Sequence, residues 1–146
     1  MKNFKKYSIF LLLLLLLLLS ACGKQKISLP KSKYLDYINV TEVDKKTKSE
    51  REVIKIEKEE DVKIFIDSVS SATKIKKESI SDEPTNIEKY LKVSFYHKEA
   101  KNSSSIMYIY KSRDYTEEKY FYFEQPYTGV FKIKKDKLKN INWLND

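Results

Sequence analysis

The sequence predicts an α+β fold: an antiparallel sheet of about five or six strands in the order ββαββββ, one helix packed on one face, and a short C-terminal helix. Several segments alternate apolar and polar residues with the period of two that is typical of strands. One segment has apolar residues at the helical spacing i, i+3, i+4 and i+7. The 146 residues leave room for one domain of ordinary size, and we find no internal repeat.

The N-terminus has the layout of a secretory signal. Its first six positions hold three lysines and no acidic residue, and residues 9–19 form an unbroken apolar run. A membrane-spanning helix needs about 20 apolar residues, so this shorter run predicts a cleaved signal peptide. The run ends in Leu19-Ser20-Ala21-Cys22, the lipobox pattern of bacterial lipoproteins. We therefore expect residues 1–21 to be removed and Cys22 to carry a diacylglycerol, whose two acyl chains hold the protein on the outer face of the cell membrane.

The mature chain is expected to have two parts. Residues 22–33 are predicted to be the lipidated cysteine and a polar tether, which contains Pro30 and reaches at most about 36 Å when extended. Residues 34–146 are predicted to form the single α+β domain. Cys22 is the only cysteine, so a disulfide within this domain is excluded.

The composition is basic, with 29 Lys and Arg against 21 Asp and Glu. Removing the three leader lysines leaves 26 − 21 = +5 on the mature chain. Its lysines alternate with glutamates and the protein is predicted to be exported, so nucleic acid is not an expected partner. We expect an ordinary solvated surface, with weak attraction to anionic lipids or wall polymers as the alternative.

The first elements of the domain are predicted to be a hairpin and a helix. β-type residues around Ile38 and Val40, and again over residues 53–56, flank a charged turn at residues 45–50. Acidic residues suit the positive end of a helix dipole, so residues 59–61 predict a helix start. The apolar residues of this helix fall on one face and predict packing against the sheet: Val62, Phe65, Ile66 and Val69.

The second half of the domain is predicted to be mainly strands. Residues 79–86 have the composition of a loop, and three β-rich segments follow at residues 91–95, 106–110 and 120–123. A turn over residues 125–129 then leads to a strand over residues 130–133, with Gly129 supplying a positive φ at the exit of the turn. A short helix is predicted at the C-terminus beside Trp143, from three apolar residues at helical spacing: Leu138, Ile141 and Leu144.

The sequence offers few groups for catalysis. His97 is the sole histidine, and with no second histidine and no free cysteine we expect no metal site and no Cys–His nucleophile pair. The acidic clusters at residues 59–61, 82–83 and 117–118 are expected to serve helix starts, turns and solvated loops. We expect no enzyme and no cofactor. A weak hydrolase remains an alternative, and it would require a pocket where His97 meets a carboxylate.

Tyrosines on the predicted strands are the candidate binding residues. Period-two alternation places them in same-face pairs, so one side of the sheet could be paved with rings that carry hydroxyls. Such a surface suits a peptide or a sugar, whereas the alternative is structural packing, since tyrosine also suits half-buried strands. The residues of this candidate face are Tyr90, Tyr96, Tyr108, Tyr110, Tyr120 and Tyr122.

Two short segments carry a family resemblance. They are Ser79-Ile80-Ser81-Asp82-Glu83-Pro84, and Phe123-Glu124-Gln125-Pro126-Tyr127-Thr128-Gly129-Val130-Phe131. Together with the lipobox, they resemble an uncharacterised family of small lipoprotein domains of unknown function from low-GC Gram-positive bacteria. The similarity covers about residues 34–144. It implies a surface lipoprotein of a single-membrane cell and no particular activity.

The expected function is that of a non-enzymatic, membrane-anchored binding module. It would recognise an extracellular peptide, protein or wall polymer statically, through the tyrosine face. The alternative is a protective, immunity-type lipoprotein that blocks a membrane-active toxin or a protease.

Overall fold

The computed structural model describes residues 25–75, 77–111 and 119–145. The predicted signal peptide and Cys22 lie outside these described residues, and so does the acidic pair at residues 117–118. Within the described part of the chain, no helix is long and apolar enough to span a membrane.

The described residues form an α+β fold with one seven-stranded antiparallel sheet, in the order β2-β1-β4-β5-β6-β7-β3. The strands are β1 (Leu35–Asp44), β2 (Ser49–Ile56), β3 (Thr73–Lys74), β4 (Lys89–His97), β5 (Ala100–Tyr110), β6 (Tyr120–Gln125) and β7 (Gly129–Lys134). The helices are α1 (Glu59–Val69) and α2 (Asn142–Asn145), and 3-10 turns span Ser32–Tyr34 and Lys135–Leu138.

The fold class is confirmed, but the predicted strand count of five or six was too low. The additional strand is β3, whose two residues pair with β7 as Thr73↔Lys132 and Lys74↔Phe131. Two residues are too few to show a period of two, so only its pairing partner identifies this segment as a strand.

One face of the sheet and the helices enclose the main core. The four apolar residues predicted for α1, from Val62 to Val69, are all buried. They lie against alternate strand residues that the period of two assigns to this face, among them Val40, Val93, Ile109 and Phe131. The predicted C-terminal helix is confirmed as a short element, with Leu138, Ile141 and Leu144 buried in the same core.

The described part of the predicted tether is packed on the domain, which differs from our expectation. Lys26 forms a β-bridge with Thr73, and the Gln25 carbonyl accepts a hydrogen bond of 2.7 Å from the Lys74 amide. The Ile27 amide donates to the Ala72 carbonyl at 3.1 Å, and its side chain is buried in the main core. Ile27 and Leu29 alternate in this otherwise polar run, but two residues are too few to establish a period of two, so the sequence did not reveal this attachment. The segment therefore covers the β3 edge of the sheet.

The turn between β6 and β7 follows the prediction for Gly129. Pro126 is the second residue of a turn that is closed by a 3.1 Å hydrogen bond from the Thr128 amide to the Gln125 carbonyl. Gly129 has a φ of +136°, and Tyr127, which we did not single out, has a φ of +57°. A Cβ on Gly129 would lie 2.5 Å from Lys74 Cε and 3.2 Å from the Lys77 carbonyl oxygen. Glycine is therefore required both by the backbone and by the space.

Replacing Gly129 with alanine is expected to lower the free energy of unfolding by about 2 kcal/mol, because an L residue at this φ is strained by about 1–3 kcal/mol. Urea unfolding measures the change. Thr128→Ser, one residue earlier and with the hydroxyl retained, is the control and should change the value by less than about 0.5 kcal/mol. Equal stability of Gly129→Ala and the wild type would contradict the requirement for glycine.

Candidate functional site

Four of the six tyrosines predicted to form a binding face are buried. Tyr90, Tyr108, Tyr110 and Tyr122 are between 1% and 6% exposed, in a second apolar cluster on the sheet face opposite α1. The same-face pairing predicted from the alternation is therefore present. The open surface is not, because residues between β3 and β4 lie over it.

The covering segment is held by tyrosine hydroxyls. Tyr108 Oη donates to the Asp82 carbonyl at 2.8 Å, and Tyr90 Oη donates to Glu83 Oε2 at 3.2 Å. The rings of Tyr90 and Tyr108 meet edge to face, with centroids 5.2 Å apart. These tyrosines therefore have the structural packing role that the sequence analysis gave as the alternative to a binding face. They are unavailable to a ligand.

Burial also changes the ionisation of these hydroxyls. It raises the pKa of Tyr108 to about 12. It raises the pKa of Tyr90 and of Tyr110 as well, with further upward contributions from the neighbouring carboxylates of Glu83 and Glu124. Tyr110 Oη donates to Glu124 Oε2, and Glu124 is itself buried. At neutral pH these tyrosines are therefore neutral hydrogen-bond donors within the structure.

The other two tyrosines are half-buried. Tyr96 stacks on Tyr37 with ring centroids 4.3 Å apart, and Lys55 Nζ lies 4.4 Å from the Tyr37 ring centroid. Lys132 Nζ lies 4.4 Å from the Tyr120 ring centroid. Tyr120 packs against the cluster of the four buried tyrosines, whereas Tyr96 is engaged by Tyr37.

His97 has a hydroxyl as its neighbour. Its Nε2 lies 3.2 Å from Ser105 Oγ, at the end of the β4–β5 pair. The weak-hydrolase alternative required His97 to meet a carboxylate in a pocket, and the contact observed is with serine. Among the described residues, no group of three His, Cys, Asp or Glu side chains could hold a metal ion.

A groove of about 570 Å³ lies between β2, the first turns of α1 and the C-terminal segment. Its apolar lining includes Ile54, Ile64, Phe65 and Trp143. Phe65 and Trp143 stack with centroids 5.8 Å apart, so two separate elements hold this lining together. Ile64 is 39% exposed, although it is a large apolar residue on a helix.

The rim of the groove is polar. Asn140 and Asn142 come from the C-terminal segment, and Lys58 and Asp61 from the start of α1. Glu57 also lines it, and its Oε1 lies 2.6 Å from Lys55 Nζ. An apolar floor with a mixed polar rim suits one large apolar side chain flanked by hydrogen-bonding groups.

The groove adjoins the open edge of the sheet. β2 is the terminal strand, and its outer side has no strand neighbour among the described residues. The opposite edge at β3 is covered by Lys26 through its bridge to Thr73. An uncovered edge presents backbone N–H and C=O groups that can pair with another chain.

Sequence reasoning missed this groove because its lining comes from three separated segments. One local signal is Ile64, which lies outside the apolar face of α1 and so has no packing reason to be apolar. A second signal is Trp143, which the sequence analysis placed only beside the C-terminal helix and which is half-buried.

Comparison with known protein families identifies the family of this chain. A family model with the description "Domain of unknown function (DUF5300)" matches residues 23–132. No curated protein and no solved structure matches the chain.

Proposed function

Since the chain belongs to this family, whose function is unknown, we propose from its own residues that it is a lipid-anchored, extracytoplasmic binding module. Its groove and the open β2 edge take up an extended polypeptide segment of another protein. The proposal depends on one observation above all: an apolar groove lies directly beside a sheet edge that has no strand neighbour in the described structure.

The anchor is supported by the sequence. The lipobox that ends at Cys22 follows a basic leader and a short apolar run, the layout of a lipoprotein signal. Lipidation at Cys22 anchors the domain on the outer face of the membrane of a Gram-positive cell, the cell type that the family resemblance implies. Its partners are then peptides, proteins or wall components outside the cell.

An extended polypeptide fits this site better than a lipid or a sugar does. It can add a strand to β2 through backbone hydrogen bonds while alternate side chains point into the groove. The side chains of β2 include two acids and two bases, Glu50, Arg51, Glu52 and Lys55, so the edge complements a strand that carries both signs. The apolar floor formed by Ile54, Ile64 and Trp143 selects a large aliphatic or aromatic side chain.

Recognition at this site is non-enzymatic. The carboxylates beside the groove, Glu57 and Asp61, are exposed to solvent, and Glu57 is engaged by Lys55. General acid–base chemistry needs a group held in fixed geometry against the reacting atom, and both carboxylates are exposed side chains on the rim of the groove.

Replacing Ile64 with lysine is expected to weaken peptide binding at least tenfold, because a charge then projects over the apolar floor. A display library of random dodecapeptides is selected on the purified lipidated chain, and the peptides obtained are measured by fluorescence anisotropy. Ile80→Lys is the matched control, since Ile80 is 78% exposed on the loop over the tyrosine cluster. The control should bind like the wild type.

Hydrogen exchange provides a second readout. A bound peptide should slow exchange at amides of β2 (Ser49–Ile56) and leave the covered β3 edge unchanged. The proposal fails if selected peptides bind Ile64→Lys and wild type equally, or protect amides away from β2. It also fails if β2 is protected by self-association alone, which sedimentation of the chain without peptide would reveal.

A further inference from the structure

We propose that the covered edge of the sheet docks on anionic phospholipid head groups and holds the open β2 edge away from the membrane. The covered edge is defined as Gln25–Ser28 with β3 and β7. This inference rests on the proposed lipid anchor at Cys22 and adds an orientation to it.

The position where the described chain begins brings this edge close to the anchor. The Gln25 carbonyl accepts a hydrogen bond from the Lys74 amide, and Gln25 is three residues after Cys22. Three extended residues span at most about 11 Å. The lipidated Cys22 therefore lies within about 11 Å of Gln25 on the covered edge.

A second attachment reinforces the first. The Ser28 amide donates to Gln125 Oε1 at 3.2 Å, and Gln125 Nε2 donates to the Ser28 carbonyl at 2.5 Å. Together with the buried Ile27 side chain, these bonds hold residues 25–28 on the sheet at both ends of the segment. Residues 25–28 are thus part of the sheet edge, and they connect that edge directly to the proposed lipid anchor.

The charge of the covered edge complements an anionic surface. Its three segments contain four lysines and no acidic residue: Lys26, Lys74, Lys132 and Lys134. By contrast, β2 at the other edge carries Glu50, Arg51, Glu52 and Lys55, which sum to zero. Only the edge beside the anchor has a charge that would draw it to anionic head groups.

Register places three of these lysines on one face. Lys26 and Lys132 pair with Thr73 from its two sides, and directly paired residues share a face of the sheet. Lys134 follows Lys132 by two positions and points the same way. Lys26 and Lys134 are exposed, and Lys132 is half-buried beside the Tyr120 ring. These three lysines therefore form a strip on one face of the covered edge.

The orientation that results serves the proposed binding site. Seven strands have six spacings of 4.7–4.9 Å, so the β2 edge lies about 29 Å from the covered edge. With the covered edge on the head groups, the groove faces outward, where a partner outside the cell can reach it.

Lysine acetylation followed by mass spectrometry tests the orientation. The lipidated chain is placed in vesicles of phosphatidylcholine alone, or of phosphatidylcholine mixed with phosphatidylglycerol. In the anionic vesicles, acetylation at Lys26, Lys132 and Lys134 should slow about threefold or more, and high salt should restore it. Lys48 and Lys58, near the β2 edge, are the internal controls and should react equally in both vesicles.

Charge reversal gives the matched comparison. The double variant Lys132→Glu/Lys134→Glu should lose the anionic-lipid protection at Lys26 while still floating with the vesicles through its acyl chains. Lys48→Glu/Lys58→Glu should keep it. Retained protection in the first variant, or equal protection of all lysines, overturns the inference.

Two further results would separate the proposals. A chain that fails to float with vesicles at high salt lacks the lipid anchor. This result would contradict both the proposed function and this inference. A chain that floats without protection of the covered edge overturns the inference alone. Protection produced in neutral vesicles by a soluble polyglycerol phosphate would also overturn it, since the partner would then be an anionic polymer and not the bilayer.

Discussion

Raising the pH from 9 to 12 is expected to remove about 2 kcal/mol from the free energy of unfolding through Tyr108 alone. Its pKa is about 12 in the folded protein against an ordinary value of 10. Below pH 10 both states keep the proton and the contribution is fully present. Between pH 10 and 12 the unfolded chain loses the proton that the folded chain still largely retains, so stability falls by at most about 1.4 kcal/mol per pH unit.

Tyr90 and Tyr110 act in the same direction, because burial raises the pKa of each. The expected result is a steep alkaline loss of stability, accompanied by cooperative release of the covering loop. Urea unfolding at half-unit steps from pH 9 to 12 measures the slope, and absorbance of tyrosinate reports the ionisation.

Tyr108→Phe is the diagnostic variant. At pH 9 it should be about 1 kcal/mol less stable, because the hydrogen bond to the Asp82 carbonyl is lost. Above pH 10 its stability should fall less steeply than that of the wild type, since one titrating group is gone. Parallel curves for the two proteins would show that Tyr108 is not a source of the alkaline sensitivity.

Replacing Phe65 with alanine is expected to cost about 3–5 kcal/mol of unfolding free energy. Phe65 is fully buried between the sheet and the C-terminal segment, with ring centroids 6.3 Å from Phe95 and 5.8 Å from Trp143. A domain of this size has about 5–15 kcal/mol in total, so the variant would be marginally stable or unfolded. Urea unfolding followed by circular dichroism measures the loss.

Ile64→Ala is the control on the same helix. Ile64 precedes Phe65 and is partly exposed in the groove, so its truncation should cost less than about 1 kcal/mol. Similar losses for the two variants would contradict the assignment of Phe65 to the core and Ile64 to the groove.

The tyrosines illustrate how far sequence patterns reach. Alternation correctly assigned Tyr108 and Tyr110 to one face of β5, and Tyr120 and Tyr122 to one face of β6. It did not reveal that residues 79–86 lie over Tyr90 and Tyr108, because that loop has no apolar period. The loop is held by hydrogen bonds such as that from Tyr108 to Asp82, which join residues 26 positions apart.

The packing of the N-terminal segment and the position of the groove were not predicted for the same reason. Ile27 joins the core through a bridge to β3, and the groove combines Ile54, Ile64 and Trp143 from distant parts of the chain. No local sequence pattern predicts these contacts between distant segments, because they depend on the order of the strands in the sheet.

Local periodicity thus established the strands, the amphipathic helix α1 and the short C-terminal helix, because burying one face of an element imposes a repeat on its own residues. The pattern of Cys22 and its leader is likewise readable without a fold. Three-dimensional packing alone decided which edge of the sheet is covered, which tyrosines are reachable, and where a groove opens. Those outcomes depend on contacts between segments that are far apart in the chain. The sequence of one segment contains only one partner of each contact, so it does not identify the other.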